Sequence, residues 1–173
     1  MMLSLAVLTF VTIQRLAELV IAQRHTAALL AKGAYEVGAE HYPVMVAIHA
    51  AWLAGLWVLA PGITPSLIGL AVFAALQLGR LWVLTTLGER WTTRIIILPG
   101  SPLVAKGPFR FLSHPNYAVV TGEIAVLPLA FGLTGFAVVF TVLNAAILYV
   151  RIGAENAALK VGMAGNDNGR TAT

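Results

Sequence analysis

The chain has 173 residues, of which 59% are hydrophobic and only 10% are charged, with a net charge of +4 and no cysteine. A soluble domain is about half apolar and about a quarter charged, so this composition excludes an ordinary soluble protein and predicts an integral membrane protein. The absence of cysteine excludes disulfides, thiolate metal sites and cysteine nucleophiles. The basic residues lie between apolar stretches, so we predict no nucleic-acid partner.

Five apolar stretches have about the length that a helix needs to cross a bilayer, which is about 20 residues. They cover residues 2–22, 42–60, 65–87, 116–131 and 133–150. We therefore predict an all-α integral membrane protein with five transmembrane helices and a long ordered cytoplasmic connection between helices 3 and 4. Residues 1–160 are predicted to form a single transmembrane catalytic domain, followed by a disordered cytoplasmic tail at 161–173.

Basic residues occupy alternate connections between these stretches. The first and third connections and the segment after the fifth stretch carry Arg24, Lys32, Arg90, Arg94, Lys106, Arg110, Arg151, Lys160 and Arg170. Since basic loops stay in the cytoplasm, we predict an N-terminus outside and both long connections inside, in a bacterial inner or plasma membrane. Within the third connection, residues 95–98 are too short to span and fit a short strand or an interfacial segment. Trp82 and Trp91 fit an aromatic belt at the membrane interface.

Two predicted spans carry unusual polar residues. Arg15 and Glu18 are neighbours on the first helix, and each charge near the middle of a bilayer costs roughly 2.5–3.5 kcal/mol. They form either an interfacial pair at a helix end or one wall of a polar cavity. His41 and His49 share one stripe of the second helix, either as hydrogen-bonded interior residues or as substrate contacts. No further ligand stands at metal-binding spacing, so we predict no metal site.

The fourth span is predicted to begin with a polar helix terminus. His114 precedes Pro115, which disfavours helical backbone at His114 and suits Pro115 to the first helical position. We therefore predict free N–H groups at Asn116, Tyr117 and Ala118, and such a helix end binds anions. The sequence therefore predicts an anion-binding site at this helix end.

Polar residues also follow one face of the fifth helix. Asn144, Arg151 and Glu155 recur at helical spacing and approach the same membrane face as the terminus at His114. The simpler alternative is an exposed Arg151–Glu155 pair, worth less than about 1 kcal/mol. Glu123 is the single acid inside the fourth span.

Two segments resemble a known family. Residues 107–117, GPFRFLSHPNY, resemble the GPYR-x-x-RHPxY signature of the isoprenylcysteine carboxyl methyltransferase family, and residues 151–156, RIGAEN, resemble its R-x-x-x-E-E motif. The resemblance extends from about residue 15 to 159. The sequence departs from the family pattern at Phe109, at Ser113 and at Asn156, where the family has Tyr, Arg and Glu.

The resemblance implies a membrane O-methyltransferase that uses S-adenosylmethionine on the cytoplasmic side. Its acceptor would be a lipophilic or lipidated molecule entering from the membrane lipids, methylated on a carboxylate or a hydroxyl, as in bacterial relatives that act on alkylpyrones or phenolic lipids. The implied cofactor-binding residues are Gly107, Pro108, Arg110, His114, Pro115, Asn116, Tyr117 and Glu155.

The remaining predicted site residues concern the acceptor. Arg151 would bind an acidic oxygen, while Glu123 or His114 would serve as the base for a hydroxyl acceptor. Arg15, His41 and His49 are further predicted substrate contacts, beside Arg151. Two alternatives stay open at this point, namely an NADPH-dependent membrane reductase that shares the HPxY element and a non-catalytic helical membrane scaffold.

Overall fold

A computed structural model describes the backbone of residues 2–168 and the side-chain surroundings of residues 2–159. Within that range the protein forms five α-helices and one two-stranded sheet, which confirms the predicted all-α class. The elements are α1 (Met2–Ala31), β1 (Tyr35–Val37), α2 (Tyr42–Leu59), α3 (Leu67–Leu87), β2 (Ile95–Ile97), α4 (Pro115–Ala130) and α5 (Thr134–Asn168).

Four helices, α1, α2, α3 and α5, are long and apolar enough to cross a membrane, as judged over the described residues. Their surfaces expose large apolar side chains such as Phe10, Ile68 and Val142, as expected where lipid is the solvent. In contrast, α4 has 16 residues, which gives about 24 Å at 1.5 Å per residue, less than a hydrocarbon core of about 30 Å. The count of five transmembrane helices therefore stays a prediction.

The short helix α4 lies largely inside the bundle. It begins at Pro115, with His114 as its N-cap, where the sequence predicts it. Near its other end Pro128 has no N–H to give to the carbonyl of Ile124, and the indole Nε1 of Trp52 donates to that carbonyl instead at 3.2 Å. Trp52 thus satisfies a buried acceptor that proline leaves free.

Helices α3 and α4 approach closely at a pair of small residues. A Cβ added to Gly69 would lie 2.6 Å from the Cβ of Ala130, and the amide of Ser66 donates to the carbonyl of Ala130 at 2.8 Å. Small residues permit such backbone approach between membrane helices. The contact joins the start of α3 to the end of α4, so the start of α4 lies at the opposite end of the bundle.

The two long connections meet at that opposite end. Strand β1 precedes α2 and pairs antiparallel with β2, with Tyr35 opposite Ile97. Arg94 extends the pairing, because its Nη1 donates to the Glu36 carboxylate at 2.8 Å. The sequence indicates a short strand at β2, whereas its partner β1, in the first connection, is found only in the structure.

Helix α5 is longer than the predicted fifth span and continues to Asn168. The predicted tail, residues 161–173, therefore begins inside this helix, and its last five residues, 169–173, lie outside the described residues. The division into a catalytic domain at 1–160 and a disordered tail stays a prediction.

Candidate active site

A cavity of about 910 Å³ lies at the end of the bundle where the two connections meet. All five helices and the connection between α3 and α4 contribute to its wall. Most predicted site residues line it, namely Arg15, His49, His114, Pro115, Asn116, Tyr117, Arg151 and Glu155. Residues from four separate segments of the chain, in α1, in α2, at the start of α4 and in α5, thus share one cavity.

The wall from α4 and α5 is polar. The Tyr117 hydroxyl donates to the Glu155 carboxylate at 2.8 Å, and the His114 Nδ1 lies 3.6 Å from the same carboxylate. The His114 Nε2 lies 3.2 Å from the Asn156 Oδ1, and the rings of His114 and Tyr117 stack with their centroids 5.4 Å apart. Asn156, which replaces an acid of the family motif, therefore holds His114 in place.

The start of α4 differs from the predicted anion-binding terminus. The amides of Tyr117 and Ala118 both donate to the carbonyl of His114, at 3.2 and 3.3 Å, so the prediction that these two N–H groups are free is wrong. The physical reason is that the carbonyl of His114, the N-cap, accepts the first α-helical hydrogen bond from the amide of Ala118. It also accepts a 3₁₀-type hydrogen bond from the amide of Tyr117. The side chain of Asn116 instead supplies a polar atom, because its buried Oδ1 has no hydrogen-bond partner among the described residues.

Arg151 joins α5 to the connection between α3 and α4. It is 3% exposed, and its Nη2 donates to the backbone oxygen of Thr93 at 2.9 Å. The Thr93 hydroxyl in turn lies 3.0 Å from the Tyr42 hydroxyl at the start of α2. The Nε of Arg151 is buried and, within the described part of the chain, has no acceptor. A buried guanidinium with a free N–H suits an oxygen anion.

A second polar cluster joins α1, α3 and α4, and its members Arg15, Glu18 and Arg80 also line the cavity. The carboxylate of Glu123, which is 0% exposed, accepts hydrogen bonds from Arg15 Nη2 at 2.6 Å, from Gln77 Nε2 at 2.8 Å and twice from Arg80. Glu18 accepts from Arg15 Nη1 at 3.0 Å and from Arg80 Nη1 at 2.9 Å. We call Arg15, Glu18, Arg80 and Glu123 the ionic cluster. Its two positive and two negative charges balance.

Sequence reasoning did not assemble this cluster. It paired Arg15 with Glu18 and treated Glu123 separately. One sequence feature does point to the cluster, because the apolar spans contain equal numbers of acids and arginines. Charged residues inside membrane spans mostly pair with one another.

Some predicted site residues do not line the cavity, namely His41, Gly107, Pro108, Arg110 and Glu123. Residues 107–110 form a short 3₁₀ turn in which Pro108 is buried, and this turn reaches the cavity only through Phe109. His41 faces a separate groove on the outer side of α5, beside Tyr149. Glu123 lies beneath the wall, fully engaged by the ionic cluster. Direct roles for these residues stay predictions without geometric support.

His49 lines the cavity from α2, but its Nδ1 lies 2.7 Å from the carbonyl of Met45 on its own helix. Since a carbonyl only accepts, that nitrogen carries a proton and the Nε2 is an acceptor when the ring is neutral. No group of three His, Asp or Glu side chains in the described residues is placed to hold a metal ion.

Comparison with known proteins assigns the chain to a family. A sequence profile of the isoprenylcysteine carboxyl methyltransferase (ICMT) family matches residues 67–161, more than half of the chain. The protein is a member of the ICMT family. The match begins at α3 and includes the connection, α4 and the part of α5 that carries Arg151 and Glu155. Membership supports a membrane methyltransferase in general, in agreement with the apolar helices.

Two bacterial relatives are similar over most of their length. The uncharacterized protein YpbQ of Bacillus subtilis (strain 168) is 39% identical over 153 residues, which cover 86% of this chain and 91% of YpbQ. An uncharacterized protein of Haemophilus influenzae is 30% identical over 156 residues, covering 84% of this chain and 88% of that protein. No solved structure matches significantly.

Proposed function

We propose that this ICMT family member is an S-adenosylmethionine-dependent O-methyltransferase that acts on a lipophilic acceptor at the cytoplasmic membrane face. The observation that carries the proposal is one cavity of about 910 Å³ that is lined by polar groups of α4 and α5 and, on the side of α1 and α2, by apolar side chains beside Arg15 and His49. The cofactor is water-soluble and charged, so it fits the polar groups of α4 and α5. The acceptor is lipophilic, so it fits the apolar side chains of α1 and α2. The basic residues of the bordering connection support a cytoplasmic opening and an N-terminus outside.

The residues of the polar wall fit the cofactor. The Glu155 carboxylate is suited to accept hydrogen bonds from an amino group or ribose hydroxyls, and the unpartnered Asn116 Oδ1 is a further acceptor. The stacked rings of His114 and Tyr117 offer an aromatic surface for packing. When bound, S-adenosylmethionine supplies an electrophilic methyl group on a sulfonium.

The acceptor needs an oxygen held still and dry against that methyl group. Arg151 is the buried cation of the cavity wall with a free N–H, and it binds a carboxylate or an ionised hydroxyl. Its bond to Thr93 fixes the guanidinium, so the oxygen is oriented before reaction. Burial excludes water, which would otherwise compete for the oxygen and screen the charge.

A carboxylate acceptor is already ionised and needs no base, whereas a hydroxyl acceptor must lose a proton. His114 lines the cavity and touches Glu155, so it is the candidate to accept that proton. The apolar wall from α1 and α2, which includes Leu16, Leu19, Met45 and Leu53, takes the hydrocarbon part of the acceptor.

Cofactor choice is tested by thermal unfolding of the detergent-solubilised protein. We expect S-adenosylmethionine and S-adenosylhomocysteine to raise the unfolding temperature, because a ligand at about 100 times its dissociation constant stabilises the folded state by about 2.7 kcal/mol. NADPH at the same concentration should have no effect. The variant Tyr117→Phe should reduce the shift, since it removes the hydroxyl that holds Glu155, whereas Tyr149→Phe, at a position 83% exposed, should not.

Stabilisation by NADPH together with none by S-adenosylmethionine would contradict the proposal and favour a reductase. No stabilisation by either S-adenosylmethionine or NADPH would favour a non-catalytic scaffold.

A further inference from the structure

Trp91 occupies an unexpected place in the molecule. The sequence suggested that Trp82 and Trp91 both belong to an aromatic belt at the membrane interface. Trp82 is 50% exposed, as such a residue should be, but Trp91 is only 3% exposed. Its ring packs in a small apolar cluster with Ala22 of α1 and Val83 of α3, and Phe109 packs against that cluster. The assignment of Trp91 to the belt is therefore wrong.

The indole N–H of Trp91 is buried without a partner. Two other tryptophans satisfy theirs: Trp52 donates to the carbonyl of Ile124 and Trp57 to the hydroxyl of Thr12. For Trp91 Nε1 no acceptor lies within hydrogen-bond distance among the described residues. An unsatisfied buried donor costs about 1–3 kcal/mol, so each native example calls for an explanation. Trp91 also lines the cavity, so an occupant of the cavity can supply the missing acceptor.

Hydrogen bonds hold the backbone of Trp91, and the apolar cluster packs its ring. The His25 Nδ1 lies 2.8 Å from the carbonyl of Trp91, and since a carbonyl only accepts, this nitrogen carries the proton and donates. The amide of Trp91 donates to the carbonyl of Gly88 at 3.0 Å. The donor is therefore held before any ligand arrives, which lowers the entropic cost of binding.

The second unsatisfied donor of the cavity wall, the Nε–H of Arg151, belongs to the same part of the molecule. Arg151 is bonded to the carbonyl of Thr93, two positions along the chain from Trp91. Both residues are at least nine-tenths buried and both line the cavity. Among the described residues, the cavity wall thus contains two buried N–H donors without a hydrogen-bond partner.

We propose that Trp91 determines acceptor specificity: its indole N–H binds one oxygen of the acceptor head group while Arg151 binds another. This inference rests on the proposed function and narrows it to head groups that carry at least two acceptor oxygens, such as a carboxylate or an acidic hydroxyl beside a carbonyl. A single-oxygen head group, such as a simple phenol, leaves the Trp91 N–H unsatisfied and binds more weakly.

The surroundings of Trp91 assign it to the acceptor rather than to the cofactor. The polar groups that fit the cofactor, His114, Tyr117 and Glu155, lie on the side of α4 and α5. Trp91 instead packs against apolar residues of α1 and α3, where the charged cofactor would find few partners. A lipophilic molecule with a polar head suits an apolar site that contains one or two hydrogen-bond donors.

The test is binding of two matched probes to the full-length protein in detergent, followed by NMR of the isotope-labelled indole N–H groups. A pentadecyl salicylic acid carries a two-oxygen head, and the corresponding pentadecyl phenol lacks the carboxylate. We expect the acid to shift the Trp91 indole resonance downfield and to leave that of Trp82 unchanged. S-adenosylhomocysteine alone should bind without this shift.

The variant Trp91→Phe keeps an aromatic ring in the apolar cluster, although a smaller one, and removes the N–H. We expect it to weaken binding of the acid by about 10-fold or more, as for a lost hydrogen bond to a charged group, and to leave binding of the phenol and of S-adenosylhomocysteine unchanged. The matched control Trp82→Phe should change none of these affinities. An unchanged unfolding temperature of Trp91→Phe shows that the effect is not one of folding.

The inference is overturned if the acid fails to move the Trp91 resonance, if Trp91→Phe binds the acid and the phenol in the wild-type ratio, or if S-adenosylhomocysteine alone moves the resonance. Failure of S-adenosylhomocysteine to bind the wild-type protein is a different result, because it contradicts the proposed function itself.

Discussion

Arg151→Ala is expected to lower methyl transfer by about 100-fold or more, because a nucleophile displaced by about 1 Å already loses about that factor. The guanidinium is a buried cation of the cavity wall, 3% exposed, and its Nε–H has no acceptor among the described residues. Without it the acceptor oxygen has neither its counter-charge nor a fixed position. The measurement is label transferred from S-adenosylmethionine to organic-extractable material in membranes that contain the variant.

Two further variants make that result specific. His114→Ala removes the ring stacked on Tyr117 and should reduce transfer mainly through weaker cofactor binding. Arg24→Ala removes an exposed cation of α1 that does not line the cavity and should retain wild-type transfer. Full activity in both Arg151→Ala and His114→Ala would contradict the site assignment. Loss of methyl transfer in Arg24→Ala would show that the assay responds to the removal of a positive charge anywhere in the protein.

Arg80→Met is expected to lower the free energy of unfolding by about 3–5 kcal/mol, the usual effect of removing one partner from a buried ion pair. Arg80 is 3% exposed and donates to both acids of the ionic cluster, Glu18 and Glu123. Its loss leaves one uncompensated negative charge inside the apolar bundle. Denaturant unfolding in mixed micelles measures the change, and Leu81→Met, at a lipid-exposed neighbouring position, is the control with little expected effect.

The double variant Arg80→Met/Glu123→Met distinguishes charge imbalance from lost packing. Removing one cation and one anion leaves Arg15 paired with Glu18, so the cluster is neutral again. We expect most of the lost stability to return, since apolar replacement of a whole buried pair is often neutral. A double variant less stable than Arg80→Met would show that Glu123 contributes mainly through Arg15 and Gln77.

The features that the sequence predicts correctly depend on local chemistry. Proline rules place the start of α4 at Pro115, and the helix begins there. Helical spacing places Arg151 and Glu155 on one face, and both line the cavity. These predictions need only backbone geometry and a repeat of 3.6 residues.

The features that the sequence does not predict depend on contacts between distant segments. Glu123 was assigned as a base from its position in a span, but three other helical side chains occupy its carboxylate. Trp91 was assigned to the interface from its residue type, but a cluster with α1 and α3 buries it. Neither outcome follows from periodicity, because each requires knowing which helices are neighbours and which of their faces meet.

The central claim is methyl transfer from S-adenosylmethionine to a lipophilic acceptor, and one measurement tests it directly. Membranes with and without the protein are incubated with methyl-labelled S-adenosylmethionine, and the lipid extracts are compared by radiometry and mass spectrometry. We expect labelled lipophilic material that is heavier than its precursor by one methyl group and that appears only in the extract of membranes containing the wild-type protein. Equal label in both extracts, from protein shown to be folded, would contradict it.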